Sequence, residues 1–185
     1  MENKNQLTGL KTFNRQVNRE IRQLLQATLL NLMSKKDYHK ITITELCQAA
    51  HVSRMSFYTN FGTKDKLLET IVIEQNQQLI SQIGSPFRDN VDQNWYRHLF
   101  TAVHSFAGTL KLFFDAGFKY KYISIINDLV LYDQTINTTV RYARLMWAGG
   151  ITNAAIDWIE HGLTTPVDEI AEDCFRSCNI QLTIR

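Results

Sequence analysis

The stretch ITITELCQAAHVSRMSFYTNFGTKDKLL, residues 41–68, limits the fold more than any other part of the chain. Thr42 and Glu45 form a T-x-x-E capping box: the Thr hydroxyl accepts from the N–H three residues on, and the carboxylate returns to the Thr N–H. Ile43, Leu46, Cys47 and Ala50 recur at helical spacing and give one inward face, and the small Ala49 and Ala50 let a second helix come close. His51 falls where the chain needs a positive φ, a region that His, Asn and Asp tolerate better than most residues. Val52 can fill the corner behind it. Ser53 is an N-cap for a second helix over about 54–60. Phe57 and Phe61 are four apart and point inward together, which leaves Arg54, Met55, Ser56, Tyr58, Thr59 and Asn60 for the outer and flanking faces. Gly62 breaks this helix and Thr63 caps the next. Lys64 then stands at a helix N-terminus, where free N–H groups and the dipole favour an anion. This order is that of a helix-turn-helix, which offers its second helix to the major groove of DNA.

Charge is distributed in keeping with that reading. The net charge of +2 hides an asymmetry: residues 1–70 hold eleven Lys/Arg against six Asp/Glu, and residues 71–185 hold nine against twelve. The half with the helix-turn-helix is the basic half, as phosphate attraction requires. A length of 185 residues corresponds to one or two small domains, and a hydrophobic content of 44% supports a core. No apolar run approaches the roughly eighteen residues of a membrane span. The polar, basic N-terminus lacks the apolar region of a signal peptide, so a cytoplasmic protein is expected. Cys47 reads as a small core residue; Cys174 and Cys178 share one helix face but have no paired His, short of a zinc set.

Only Pro86 and Pro166 interrupt the chain, and strand-like alternation is scarce, so an all-α fold of about nine helices is expected. Residues 1–13 read as a polar, disordered tail, with a DNA-reaching arm through Lys4 and Lys11 as the alternative, and the first helix as about 15–35. The fourth helix runs from Thr63 to about Ile83, and the cluster GSPFRDN at 84–90 breaks it. The domain boundary is placed near 70, in this linking helix: 1–70 for DNA binding, 71–185 for effector binding and dimerisation. Beyond it aromatics are dense. Gly108 and Gly117 are read as helix separators. An aromatic-rich helical domain can enclose a small apolar ligand. The candidate lining is Trp95, His98, His104, Phe113, Phe114, Tyr122 and Trp147, with Asp128 as a further polar anchor. The tail reads as two helices: about 139–162, ended by Gly162, and another capped by Thr165 with Pro166 in its first position.

The window resembles the DNA-binding domain of the TetR family of bacterial repressors, through Thr42, Leu46, Cys47, Ala50, Val52, Ser53, Ser56, Phe57, Tyr58, Phe61, Lys64, Lys66, Leu67 and Leu68. The form SFYTNF, with Trp158, Ile159, Gly162, Pro166, Glu169 and Ile170 in the tail, is similar to a branch of regulators of the dihydroxyacetone-kinase-activator type. Departures are His51 for the usual Gly and Asp37 for a Gly before the aromatic Tyr38. The resemblance implies phosphate contacts from Thr42, Tyr58, Asn60 and Lys64, and base or groove-edge contacts from Thr44, Arg54, Met55, Ser56 and Thr59. It also implies a homodimer formed by the last two helices, a pseudo-palindromic double-stranded DNA operator, and a small-molecule effector that controls repression.

A rival is a co-regulator that acts through a protein partner rather than a ligand, with the acidic residues at 168–173 as its contact. No G-x-S-x-G, P-loop, H-E-x-x-H or paired Cys/His constellation is present, so no catalytic residue, metal or cofactor is expected. Asp157 and His161, four apart, have the spacing of a pair that supports its own helix.

Overall fold

The computed structural model describes the backbone of residues 2–87, 91–133 and 135–182, and side chains within 15–178 of these. Among the described residues there are eight α-helices and one short 3-10 turn: α1 Glu2–Met33, the turn Tyr38–Lys40, α2 Ile43–Ala49, α3 Arg54–Asn60, α4 Lys64–Ile83, α5 Gln93–Asp115, α6 Lys119–Val130, α7 Thr138–Glu160 and α8 Val167–Leu182. The chain is all-α. It divides into two compact units, residues 1–71 and 72–185, and the division falls inside α4.

In the first unit α1 packs on α2 and α3, which also pack on each other. Leu25 and Leu29 of α1, Leu46 of α2, Phe57 of α3 and Leu67 and Leu68 of α4 are completely buried. These residues form one apolar centre with a helix on each side. The expected start of α1 near residue 15 is corrected: the helix begins at Glu2. Gly9 does not stop it, since one helical Gly costs only about 1 kcal/mol relative to Ala. The side chains of Lys4 and Lys11, assigned to a DNA-reaching arm, lie outside the described residues.

In the second unit α5 packs along α8 and against α7, α6 packs on α7, and α7 meets α8. Trp95, Leu99, Phe100, Val103, Ala107, Leu110 and Phe113 make the buried stripe of α5. Asp92 caps this helix by accepting from the Trp95 N–H at 2.9 Å, and Asn137 caps α7 by accepting from Val140 at the same distance. Gly108 does not separate two helices. Helix α5 continues through it, and its one distortion sits at Phe106 (φ −116°, ψ 15°). Gly117 does end the helix: at φ 88° it lets the Phe118 N–H close on Phe113 O at 3.1 Å. Gly162 ends α7 in the same way, with Leu163 N–H on Trp158 O at 2.9 Å. The expected cap of α8 shifts by one residue, because its first hydrogen bonds close on Pro166 O; the carbonyl of Thr165 accepts from Trp158 Nε1 instead.

Candidate nucleic-acid interface and effector cavity

Helix α3 is closed at both ends by local hydrogen bonds. Ser53 Oγ accepts the Ser56 N–H at 3.0 Å, and the Phe61 N–H closes on Phe57 O at 2.9 Å. The turn before it is a 6→1 closure, Val52 N–H to Cys47 O at 2.9 Å, with His51 at φ 53° in the place usually taken by Gly. Phe57 and Phe61 are buried and pack at 6.4 Å between ring centroids, so the opposite side of α3 faces outward.

That outer side carries Arg54 and Thr59, both exposed, with Met55 at 80% and Tyr58 at 46% exposure. An 80% exposed methionine on a helix with a closed core does not contribute to packing. Thr42 and Thr44, at the start of α2, are also exposed. Thr42 Oγ1 is the cap of α2, accepting from Glu45 N–H at 3.1 Å. Glu45 in turn takes the Lys36 ammonium at 2.5 Å, and this contact above all holds its carboxyl below the usual carboxylate range, with help from the Thr42 backbone.

Three further residues of the expected interface are half-buried and engaged within the unit. Ser56 Oγ lies 2.9 Å from Ser53 Oγ. Asn60 Nδ2 donates to Ser56 O at 2.9 Å, while Asn60 O accepts from Arg22, whose guanidinium lies 4.6 Å from the Phe61 ring centroid. Lys64 is the most committed. Its ammonium donates to Tyr38 O at 2.6 Å and Ile41 O at 2.7 Å and lies 4.0 Å from the Tyr38 ring centroid. Burial lowers its pKa, with Asp65 and Asp37 opposing. Tyr38 Oη donates to Asp65 at 2.5 Å, so Lys64 and Asp65 together clasp the 3-10 turn to the first turn of α4. Sequence reasoning missed this clasp, because its partners lie 26 and 23 residues upstream of Lys64.

The second unit contains a two-chambered cavity. An outer bowl of about 480 Å³ is lined by Gln77, Ile80, Ser81, Gly84, Ser85, Pro86, Phe87, Leu129, Val130 and Tyr132. An inner chamber of about 70 Å³ shares Ile80, Pro86, Leu129 and Val130 with it and continues between Asn76, Trp95, Tyr122, Trp147 and Thr152. Of the seven candidate lining residues, Trp95, Tyr122 and Trp147 reach the chamber. Phe113 and Phe114 do not: they fill the core, against Phe118 and Tyr122 respectively. His98, His104 and Asp128 are exposed. The reason is helix rotation, since the chamber takes the Trp95, Leu99, Val103 side of α5. Asn76 and Thr152 were missed, although each is a polar residue on an otherwise apolar stripe (72, 76, 79 and 148, 152, 155), and both are buried.

Similarity to known proteins agrees with this architecture. Residues 25–71 match the model of the family described as bacterial regulatory proteins, tetR family. The HTH-type transcriptional regulator YxbF of Bacillus subtilis (strain 168) is 27% identical over 79 residues, 40% of this chain; the match spans about a fifth of that relative's length (21%). The solved structure of the dihydroxyacetone kinase operon activator DhaS aligns over 89% of this chain and 97% of its own, with a TM-score of 0.58 and 18% identity. NalD, the secondary repressor of the MexAB-OprM multidrug efflux pump in Pseudomonas aeruginosa, aligns over 88% and 95% (TM-score 0.57, 18% identity). Thermus thermophilus FadR, a repressor solved with lauroyl-CoA, aligns over 89% and 96% (TM-score 0.52, 16% identity). At these identities the solved structures establish the fold, and the family match establishes the DNA-binding segment. Residues 25–71 are thus similar to the tetR-family segment, and the fold that carries them is the one these solved regulators share.

Proposed function

We propose that this chain is a homodimeric repressor whose α3 reads a pseudo-palindromic operator and whose affinity for DNA is set by a small molecule held in the 72–185 unit. The observation that carries the DNA role is the division of α3: Phe57 and Phe61 hold it from below, and Arg54, Met55, Tyr58 and Thr59 are left to solvent. Arg54 suits guanine, through bidentate bonds to O6 and N7, and Met55 suits an apolar edge such as the thymine methyl. Tyr58, Thr42 and Thr44 lie on the flanks, where hydroxyls reach phosphates. Lys64 is assigned to holding the fold of the interface first, with its remaining N–H available to phosphate.

One reading helix covers only a few base pairs. Two of them about one DNA turn apart, ~34 Å, read both half-sites together. The face offered for dimerisation is on α7 and α8, where Tyr142 and Met146 are 61% and 63% exposed in line with exposed Gly150, beside Cys174 and Cys178. The effector would act through α4, which supplies Asn76 to the chamber and Lys64 to the clasp. A coupling of about 1–3 kcal/mol would change DNA affinity roughly 5–150-fold.

A second reading is co-regulation through a protein partner, favoured by the word activator in the name of DhaS. Sedimentation velocity, combined with DNA titration at several salt concentrations, tests the main reading. A dimer whose affinity for a selected duplex falls steeply with salt is expected; a monomer with no duplex preference would remove it. DNA binding that appears only after a second protein is added would favour the rival.

A further inference from the structure

This inference rests on the reading of the two-chambered cavity as the effector site and names the class of molecule it takes. Among the described residues, none that lines either chamber is Asp, Glu, Lys, Arg or His. A charge brought into such a space finds no partner, and burial without one is heavily penalised. Apolar surface dominates the walls, but the inner chamber is not purely apolar. Asn76 of α4, Tyr122 of α6 and Thr152 of α7 present polar groups there and are each at most 5% exposed.

Asn76 and Tyr122 are poorly satisfied by one another. Asn76 Nδ2 is bound to Val72 O at 2.9 Å, which leaves its Oδ1 to receive Tyr122 Oη at 3.5 Å. An O–H···O bond of that length is weak, since the usual distance is about 2.7–2.8 Å. A group that both donates and accepts, placed beside them, can replace this long contact with two hydrogen bonds of ordinary length. Burial raises the pKa of the Tyr122 phenol, so it meets a ligand as an un-ionised hydroxyl. Arg144 donates to Val130 O at 3.2 Å and lies 4.7 Å from the Phe87 ring centroid, with its Nε buried and without a hydrogen-bond partner.

We infer that the effector is an uncharged, mostly apolar molecule carrying a hydroxyl or carbonyl group, whose body fills the outer bowl and whose polar group enters between Asn76 and Tyr122. An ionised carboxylic acid of the same size finds no counter-charge among the described lining residues. An alcohol can donate to Asn76 Oδ1 and accept from Tyr122; a ketone can accept from Tyr122.

Trp95 and Trp147 line the chamber and report occupancy. Tryptophan fluorescence of the full chain should be titrated at neutral pH with 1-octanol, 2-octanone and octanoate. The two neutral probes are expected to bind, and octanoate at least about tenfold more weakly. Tyr122→Phe should weaken 1-octanol on the order of tenfold, the value of one neutral hydrogen bond. If that variant does not fold, the comparison of octanol with octanoate on the unmodified chain still decides the class. Octanoate binding as tightly as octanol, and lost in Arg144→Met, would place an acid head on the orphan Nε–H and overturn the inference while leaving the effector site standing. Full octanol affinity in a folded Tyr122→Phe would overturn the anchor. No response to any probe would remove the effector site itself, and this inference with it.

Discussion

The two units use their polar side chains in different ways. In residues 1–71, Ser53, Thr42 and Thr63 each cap a helix from the outside, and Lys64 clasps a turn. The polar work there is structural and peripheral, and it leaves one helix face unoccupied. In residues 72–185, Asn76, Tyr122 and Thr152 lie inside, around a space. One unit is built to be touched from outside and the other to be filled from within. The difference shows what each surface must satisfy. In the proposed reading DNA supplies the partners of exposed groups such as Arg54, which stay solvated at little cost until then. The buried Asn76 and Tyr122 keep only a long contact with each other, which leaves both able to take a better partner.

Several substitutions can break or sharpen this contrast. The largest effect should come from Phe57→Ala, which empties the centre of the first unit and should cost about 3–5 kcal/mol in urea unfolding. Met55→Ala on the same helix should stay within about 0.5 kcal/mol in stability and act on DNA affinity instead. Next is Lys64→Met, which keeps the stem but loses two charge-assisted hydrogen bonds; about 1.5–3 kcal/mol of stability should go with them. Unchanged stability with weaker binding to all duplexes would return Lys64 to a phosphate role. Arg54→Ala should cost about 1–3 kcal/mol of specific DNA binding, measured by anisotropy, with little change in melting. In the second unit, Asn137→Ala should cost about 1 kcal/mol of stability by removing the cap of α7.

The smallest effect is in the Lys36–Glu45 pair. Because the Glu45 pKa is depressed in the folded chain, the pair supports folding above the unfolded carboxyl pKa and loses that support as pH falls through the folded value. A double-mutant cycle with Lys36→Ala and Glu45→Gln should show coupling at neutral pH that declines as the pH is lowered.

What could be read from the sequence follows the same contrast. The limits of α3 were legible because Ser53, Phe57, Phe61 and Gly62 lie within a short local stretch of chain. His51 at positive φ was legible for the same reason. The clasp of Lys64 was not, since a helix N-terminus looks the same whether its lysine faces phosphate or a carbonyl more than twenty residues away in sequence. In the second unit the aromatic density pointed to a cavity, yet sorting Trp95 and Trp147 from Phe113 and Phe114 depends on how each helix is rotated. The kink at Phe106 was hidden behind the more conspicuous Gly108.

The most direct test is selection of duplexes from a random pool by the intact chain, repeated with Arg54→Ala. The account predicts an enriched inverted repeat whose half-sites are centred about one DNA turn apart, with preference relaxed at one symmetric pair of positions in the variant. Enrichment of a single asymmetric site, or an identical sequence preference with and without Arg54, would contradict it.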